Sequence, residues 1–301
     1  IMGQAVAGLR GKFGRVPLIC GNVATGAGAL KVQNARFFNV YAWHRGSLAT
    51  IAPVEGAVRI RTRLHRAGAS FVHLHVRDDK GNQTEDLTQF SRTLDLIRDA
   101  SDIIIQGSTG GLSELSLEAR CVALNDPRVE VASLNMGSVN FSEEVYINRL
   151  PDIRYWARRI DETSVIPELE IFEAGMLTAV AKLLEEKVLK PPLVFGFCLG
   201  FQWALPADPN SLFFLKSSLT EPAPWGVVHE SMQDFSLLAT AIGMGAAAIR
   251  VGFEDSVYYA PGKAAATNVE LVEKIVSLVH QIGYEVATPA EARDLLGLKK
   301  I

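Results

Sequence analysis

The chain has 301 residues, of which 48% are hydrophobic and 21% are charged, and its formal net charge at pH 7 is -3. This length is sufficient for one large domain with a single hydrophobic core. A net charge so close to zero gives no electrostatic basis for binding nucleic acid or an anionic membrane, so small-molecule partners are favoured.

Cysteine usage and the lengths of the apolar runs indicate the cellular setting. Cys20, Cys121 and Cys198 are far apart in the sequence and form no CxxC pair, which is typical of a reduced compartment. No stretch reaches the ~20 uninterrupted apolar residues of a membrane-spanning helix. The first residues also lack the continuous apolar core of a signal peptide. We therefore expect a cytoplasmic protein with no membrane partner.

The predicted elements alternate between strands and helices along the chain. After a Gly-rich N-terminal extension over residues 1–15, apolar β-type runs are separated by helical segments or connections. The predicted strands cover residues 16–24, 71–76, 103–107, 131–134, 165–171, 193–199, 225–229 and 247–251. The predicted helices cover residues 55–67, 87–98, a segment from about 113, 153–160, 175–187, 235–244, 268–282 and 289–296.

This order predicts one α/β domain over residues 16–301, a single (β/α)8 TIM barrel. The strands are too apolar to have one face in water, which indicates a parallel sheet with crossover helices. Eight such units in roughly 250 residues favour a closed barrel. A doubly wound open sheet is the alternative, but no GxGxxG follows the first strand. The irregular, aromatic segment 29–51 is predicted to be a lid, a binding loop or a subunit contact.

Polar side chains collect where the predicted strands end. In a (β/α)8 barrel the active site lies at the C-terminal ends of the strands, so these side chains are the candidates for chemistry. They are Asn22, His73, His75, Arg77, Ser108, Thr109, Ser133, Asn135, Glu168, Glu170, His229, Arg250, Glu254 and Asp255.

Two histidines lie on one face of the second predicted strand. Alternation places His73 and His75 together, ~7 Å apart along the strand. A single histidine in a strand is more often an ordinary core or surface residue. Two on the same face of an apolar strand are harder to explain in that way, since each buried ring nitrogen needs a partner. The pair therefore predicts a site for one metal ion, with zinc as the first choice because it suits imidazole and carboxylate ligands.

Acidic residues lie within one other predicted strand and directly after another. Glu254 and Asp255 are adjacent, so we expect them to face different ways, one towards a metal ion and the other acting as a base held by Arg250. Glu168 and Glu170 share one face of a strand. Buried carboxylates of this kind need a cation, a metal ion or a catalytic role. The alternative for the Glu254–Asp255 pair is a solvated loop.

The loop at residues 108–111 has the sequence STGG. The hydroxyls of Ser108 and Thr109, and exposed N–H groups at a helix start beside Gly111, suit a carboxylate or phosphate oxygen. An ordinary βα turn can have the same composition, so the loop by itself is a weak indication of a substrate site.

Five motifs in order resemble the β-keto acid cleavage enzyme family over about residues 16–298. They are AGASFVHLHVRDDKG, IIIQGSTGG, SLNMGSVNF, IPELEIFEAGM and IRVGFEDS. The resemblance implies a zinc-dependent (β/α)8 barrel that forms acetoacetate and a new acyl-CoA from a β-keto acid and acetyl-CoA. Its implied subunit state is a homotetramer or homodimer.

The resemblance also implies residue roles. His73, His75 and Glu254 match positions that bind one Zn²⁺ per chain. Ser108, Gly111, Ser133 and Asn135 match positions that hold the keto acid, with threonine more usual where Ser133 stands. Asp255, Arg250 and Glu170 match positions that assist proton transfer.

Besides Ser133, the sequence departs from the family pattern at three places. Gly28 stands at a substrate position where a relative with an amino substrate has a glutamate, so we expect neutral or apolar β-keto acids to be preferred. The aromatic loop after Gly28 is roughly a dozen residues longer than in that relative. The stretch WGVVHES lacks the more usual glycine and arginine after the seventh strand, a departure that bears on CoA binding.

Three other functions are compatible with a metal-binding barrel. An amidohydrolase-type enzyme also uses an HxH pair, but on its first strand and with further His and Asp ligands. A metal-dependent aldolase would cleave a β-keto acid without CoA. A barrel with a structural metal ion and no open coordination position would be a binding protein.

Overall fold

The computed structural model describes residues 15–16, 18–20, 65–78, 81–110 and 115–298. Eight of its strands form one all-parallel barrel. They are β1 (Leu18–Cys20), β2 (Phe71–Leu74), β3 (Ile104–Gly107), β4 (Val131–Asn135), β5 (Ile166–Ile171), β6 (Val194–Leu199), β7 (Trp225–His229) and β8 (Ala248–Val251). The barrel closes because β8 pairs with β1 and β6 pairs with β7.

Helices connect the strands on the outside of this sheet. Among the described residues they include α1 (Thr88–Ala100), α2 (Leu117–Arg120), α3 (Leu150–Thr163), α4 (Gly175–Glu185), α5 (Pro209–Ser217), α6 (Ser236–Gly243), α7 (Asn268–Gln281) and α8 (Pro289–Leu296). A 3₁₀ helix over Val122–Asn125 follows α2. No helix in this part of the chain is long and apolar enough to cross a bilayer. The predicted α/β fold with a parallel, barrel-type sheet is confirmed.

The first βα unit is described only in part. Segment 29–51 and most of the helix predicted over residues 55–67 lie outside the described residues, although residues 65–66 are helical. At the start of the chain, Arg15–Val16 forms a short parallel pair with Glu285–Val286. Arg15 falls within the N-terminal extension predicted from the sequence, but in the structure its backbone pairs with that of Glu285, near the C-terminal end of the chain.

The structure contains two short hairpins that the sequence analysis does not predict. Val139–Phe141 pairs with Glu144–Tyr146, and Tyr258–Ala260 pairs with Lys263–Ala264. The turn of the first hairpin carries no Asn-Gly or Asp-Gly signal, so the sequence does not predict this hairpin. Ser142 instead adopts a positive φ of 58° there.

The barrel interior has an apolar layer at the N-terminal ends of the strands. Alternation directs every second strand residue inwards. The first inward residues form one buried cluster with the segment that leads into and includes α8, and its members are Phe71, Ile104, Val131, Ile166, Val194, Ala248, Ala287, Ala292 and Leu296. Arg293 holds α8 against this end of the barrel by donating to Glu130 Oε2 at 2.6 Å and to the Asp102 carbonyl at 2.7 Å.

The next inward layer is polar. Two residues further along five of the strands stand His73, Gln106, Ser133, Glu168 and Arg250, all buried. Because a buried polar group costs free energy unless it is paired, this layer needs mutual partners or a ligand. The fold thus places the polar candidate residues inside the barrel, next to the apolar layer.

Candidate active site

Three buried side chains bring their ligand atoms together at the barrel mouth. His73 Nε2 lies 3.3 Å from His75 Nε2, and Glu254 Oε1 lies 3.8 Å from His73 Nε2 and 3.5 Å from His75 Nε2. Donor atoms about 2.1 Å from a central ion lie roughly 3.4 Å apart at the corners of a tetrahedron. The observed separations therefore fit one zinc-sized ion.

The state of the His73 ring is set by its neighbours. The Gln106 side-chain amide donates to Glu168, so its oxygen faces His73. His73 Nδ1 consequently donates to Gln106 Oε1 at 2.8 Å, and Nε2 of the neutral ring carries a lone pair. Gly196 leaves space for Glu168, because a Cβ there would lie 2.7 Å from Glu168 Oε1. This chain of contacts fixes the orientation that a metal ligand needs.

The electrostatics of the three groups also suit a cation. Burial lowers the pKa of His73 to about 3 and lowers the pKa of His75. Burial alone would raise the pKa of Glu254, but Arg250 and the two imidazoles hold that pKa well below its usual range. Two neutral imidazoles and one carboxylate are ligands that zinc commonly uses.

One guanidinium binds both carboxylates of the GFEDS segment. Arg250 donates to Asp255 through Nε and Nη2, each at 2.9 Å, and its Nη2 lies 2.6 Å from Glu254 Oε1. The expectation that the two acids face different ways is therefore wrong. They turn to the same cation because the chain bends sharply after β8, with Asp255 N and Ser256 N both donating to the Gly252 carbonyl.

Two acids in the site have pKa values near neutrality. Burial raises the pKa of Asp255 to about 7, although Arg250 opposes the shift and Glu254 adds to it. Burial likewise raises the pKa of Glu170 to about 8, against the opposing effect of Arg250 3.9 Å away. A base with a pKa close to the working pH is well suited to proton transfer.

A cavity opens directly beside these groups. Its lining combines the charged cluster with aromatic and apolar side chains. The lining residues are His73, Ser108, Gly110, Phe141, Tyr146, Glu170, Phe172, Cys198, Phe201, Val228, Glu230, Arg250, Glu254 and Asp255. A small molecule in this cavity would contact two candidate metal ligands, His73 and Glu254, and the candidate base at once.

The other predicted substrate residues lie behind or beside this lining. Thr109 Oγ1 donates to the Ser133 carbonyl at 2.6 Å, and Thr109 N donates to Ser133 Oγ at 3.4 Å. Asn135 Oδ1 accepts from Gly137 N at 3.1 Å, while Asn135 Nδ2 is buried and has no hydrogen-bond partner in the described part of the chain. Their substrate roles stay predictions, as do those of Gly28 and Gly111, which lie outside the described residues.

Comparisons with known proteins identify the family of this chain. A family model described as beta-keto acid cleavage enzyme matches residues 55–298. The chain belongs to the β-keto acid cleavage enzyme family. A relative from Fusobacterium nucleatum subsp. nucleatum, 3-keto-5-aminohexanoate cleavage enzyme, is 37% identical over 249 residues, which are 82% of this chain and 90% of the relative.

Two further comparisons add a second relative and a solved structure of similar fold. The 3-oxoadipate:acetyl-CoA acetyltransferase of Cupriavidus necator is 34% identical over 77% of this chain and 82% of its own length. The solved structure of ObcA with oxaloacetate superposes with a TM-score of 0.69 at 20% identity, covering 82% of this chain and 67% of ObcA. The second likeness supports the barrel-type fold.

Sequence reasoning missed several residues in and around this cavity. Gln106 and Glu230 were not singled out, although both continue the inward alternation of β3 and β7. The aromatic residues Phe141, Phe172 and Phe201 gave no signal because they come from loops or hairpins between elements. His229 is half-buried, and its Nδ1 has no hydrogen-bond partner among the described residues, but it is not part of the cavity lining.

Proposed function

We propose that this member of the β-keto acid cleavage enzyme family is zinc-dependent and converts a β-keto acid and acetyl-CoA to acetoacetate and a new acyl-CoA. One observation carries the proposal. The buried triangle of His73, His75 and Glu254 lies next to a carboxylate, Asp255, that Arg250 holds at the edge of the same cavity. Acetyl-CoA as the co-substrate is supported by the activity named for the Cupriavidus necator relative.

His73, His75 and Glu254 would hold the ion, with a coordination position left for substrate. A zinc ion bound there would supply Lewis acidity, which polarises the ketone and carboxylate oxygens and acidifies the carbon between them. Ser108 lies on the cavity lining, and we assign its hydroxyl to a substrate oxygen on which negative charge develops.

Asp255 takes the proton from this carbon in the proposed reaction. Its two bonds from Arg250 fix the carboxylate in one orientation, and its pKa of about 7 lets it bind and release a proton near neutral pH. Burial raises the pKa of Glu170 and so favours its protonated form, in which it would donate to a developing oxyanion. The positively charged guanidinium of Arg250 lies close to both Asp255 and Glu170.

The reaction then proceeds in two steps, formation of one C–C bond and cleavage of another. The deprotonated carbon attacks the acetyl carbonyl, a C–C bond forms and the C–S bond breaks, which releases the CoA thiolate. The thiolate attacks the original ketone, a C–S bond forms, and the bond between that carbonyl and the α-carbon breaks. Acetoacetate leaves after the proton returns from Asp255, and the rest of the substrate leaves as its CoA thioester.

The remaining proposals concern the domain organisation, the assembly and the location of the protein. We propose a single (β/α)8 barrel over residues 16–301 after an extension at residues 1–15, with a homotetrameric or homodimeric assembly in the cytoplasm. The regular alternation of strands and helices supports the first of these proposals.

The reaction can be tested with 3-oxohexanoate and acetyl-CoA labelled with ¹³C in the acetyl group. We expect butanoyl-CoA and acetoacetate in equal amounts, with the label in acetoacetate, and loss of turnover on removal of zinc by a chelator with recovery on its return. Mass spectrometry of both products makes the measurement. Cleavage that proceeds without acetyl-CoA would instead indicate a metal-dependent aldolase.

Gln106 gives a test of the metal site that leaves the three ligands in place. Gln106→Leu removes the acceptor for His73 Nδ1–H, so we expect zinc affinity to fall by about 10–100-fold. Competition with a chromophoric chelator measures this affinity. Gln281→Leu, on the exposed side of α7, is the matched control and should bind zinc as the wild type does. Equal affinities for all three proteins would contradict the proposed orienting contact.

A further inference from the structure

Tyr146 contributes a hydroxyl group to the cavity that the proposed reaction does not use. It is the last residue of the hairpin strand Glu144–Tyr146, and it lines the cavity together with Ser108. Its side chain is buried, whereas its neighbours Val145 and Ile147 are 52% and 46% exposed. An apolar wall needs only the aromatic ring, and a buried hydroxyl costs free energy unless it has a polar partner. The hydroxyl therefore indicates a polar role.

Neighbouring side chains hold the Tyr146 ring in place. The guanidinium carbon of Arg120 lies 5.5 Å from the centroid of the Tyr146 ring and 4.0 Å from that of the Trp156 ring, a cation–π arrangement. Arg120 is itself fixed, because its Nη2 donates to Asn148 Oδ1 at 2.7 Å. Phe141 meets the Tyr146 ring edge-on, with the ring centroids 6.1 Å apart. Packing therefore sets the direction of the hydroxyl.

Gly110 leaves the space that this hydroxyl occupies. A Cβ atom at Gly110 would collide with Tyr146 Oη, and the position of that atom is 3.9 Å from Ser108 Oγ. Any side chain at Gly110 would therefore displace the Tyr146 hydroxyl. Ser108 and Tyr146 flank this glycine, and they are the two hydroxyl-bearing side chains in the described lining of the cavity.

The backbone around Gly110 also orients the Ser108 hydroxyl. Gly110 N donates to Ser108 Oγ at 3.2 Å, so the Ser108 oxygen accepts here and its own O–H can donate elsewhere. Gln83 Nε2 donates to the Gly110 carbonyl at 3.0 Å, which ties this loop to the segment after β2. A tyrosine hydroxyl also carries one donor. The two side chains can therefore present two O–H donors to one acceptor in the cavity.

A carboxylate oxygen is an acceptor that suits this pair. In the proposed function, the ketone and one carboxylate oxygen of the keto acid point to the candidate metal ligands. The second carboxylate oxygen shares the negative charge and would also be buried, so it needs donors. The guanidinium of Arg250 is already engaged, because it donates to Asp255 and lies 2.6 Å from Glu254. Hydrogen bonds to an ionised acceptor are roughly twice as strong as those between neutral groups, which favours the two hydroxyls as its partners.

We infer that Tyr146 positions the β-keto acid by donating its O–H, beside that of Ser108, to the carboxylate oxygen that faces away from the metal site. The inference rests on the proposed function and adds a substrate-binding residue to it. Tyr146 holds the carboxylate and takes no proton from the substrate. Its loss should therefore weaken binding of the keto acid more than it slows the chemical steps.

A keto acid and its methyl ester test this contact by NMR titration without CoA. Methyl 3-oxohexanoate keeps the ketone and the ester carbonyl but lacks the charged oxygen of 3-oxohexanoate. Tyr146→Phe removes only the hydroxyl and keeps the ring. We expect its dissociation constant for 3-oxohexanoate to rise about tenfold or more, with no change for the ester. Tyr284→Phe, beyond α7 and outside the cavity lining, is the matched control and should bind both ligands as the wild type does.

Turnover separates this inference from the proposed reaction. With acetyl-CoA, Tyr146→Phe should show a higher KM for 3-oxohexanoate and an unchanged kcat. Absence of acetyl-CoA-dependent turnover in the wild type would contradict the proposed function, but the titrations would still decide the role of Tyr146. A purely structural role would weaken binding of acid and ester alike. That result, an unchanged affinity of Tyr146→Phe for the acid, or no binding of the acid by the wild type would overturn the inference.

Discussion

Alanine in place of His75 is expected to release the metal ion and remove acetyl-CoA-dependent cleavage. The Nε2 atom of His75 is 3.3 Å from that of His73 and 3.5 Å from Glu254 Oε1, so it forms one corner of the proposed zinc site. Loss of a ligand should weaken zinc binding by more than the ~10–100-fold that outer partners contribute. His73→Ala and Glu254→Gln should have the same effect.

The metal content of these variants decides the assignment. Zinc per chain is measured by mass spectrometry after dialysis, together with turnover of 3-oxohexanoate. His280→Ala removes an exposed histidine of α7, 48% of whose side chain is accessible, and should keep both zinc and activity. Stoichiometric zinc and wild-type turnover in all three ligand variants would refute the site.

Asparagine in place of Asp255 is expected to keep the metal ion and the fold but lose proton abstraction. Arg250 would still contact Glu254 at 2.6 Å, so its buried charge would keep a partner. An asparagine has no basic oxygen for the substrate proton, and general acid–base catalysis typically contributes ~10²- to 10⁴-fold. We therefore expect enzyme-dependent exchange of the substrate α-proton to fall by about that factor.

Exchange in D₂O isolates this step, because it needs no acetyl-CoA. NMR spectroscopy follows loss of the α-proton signal of 3-oxohexanoate, corrected for exchange without enzyme, while zinc content is measured in parallel. Asp161→Asn, which removes an exposed ion pair with Lys190, serves as the control. An unchanged exchange rate in Asp255→Asn with full zinc content would remove Asp255 from the mechanism.

The sequence by itself determined the order of the strands and most of the polar residues that the structure gathers at the site. The apolar runs separated by helical patterns predicted all eight barrel strands, because buried parallel strands have few polar positions. The spacing of His73 and His75 placed both rings on one face, since side chains alternate along a strand. These inferences succeeded because each depends on periodicity within a short segment.

Only the tertiary structure decided which distant residues meet. Gln106 bridges His73 and Glu168 across 33 and 62 positions of sequence, and this contact depends on the stagger of neighbouring strands in the closed barrel. The meeting of Glu254 and Asp255 at Arg250 depends on the bend after β8. The place of the Tyr146 hydroxyl depends on Gly110 in the loop after β3. Strand register, chain bends and loop packing are set by contacts between distant segments, so they cannot be predicted from periodicity within one segment.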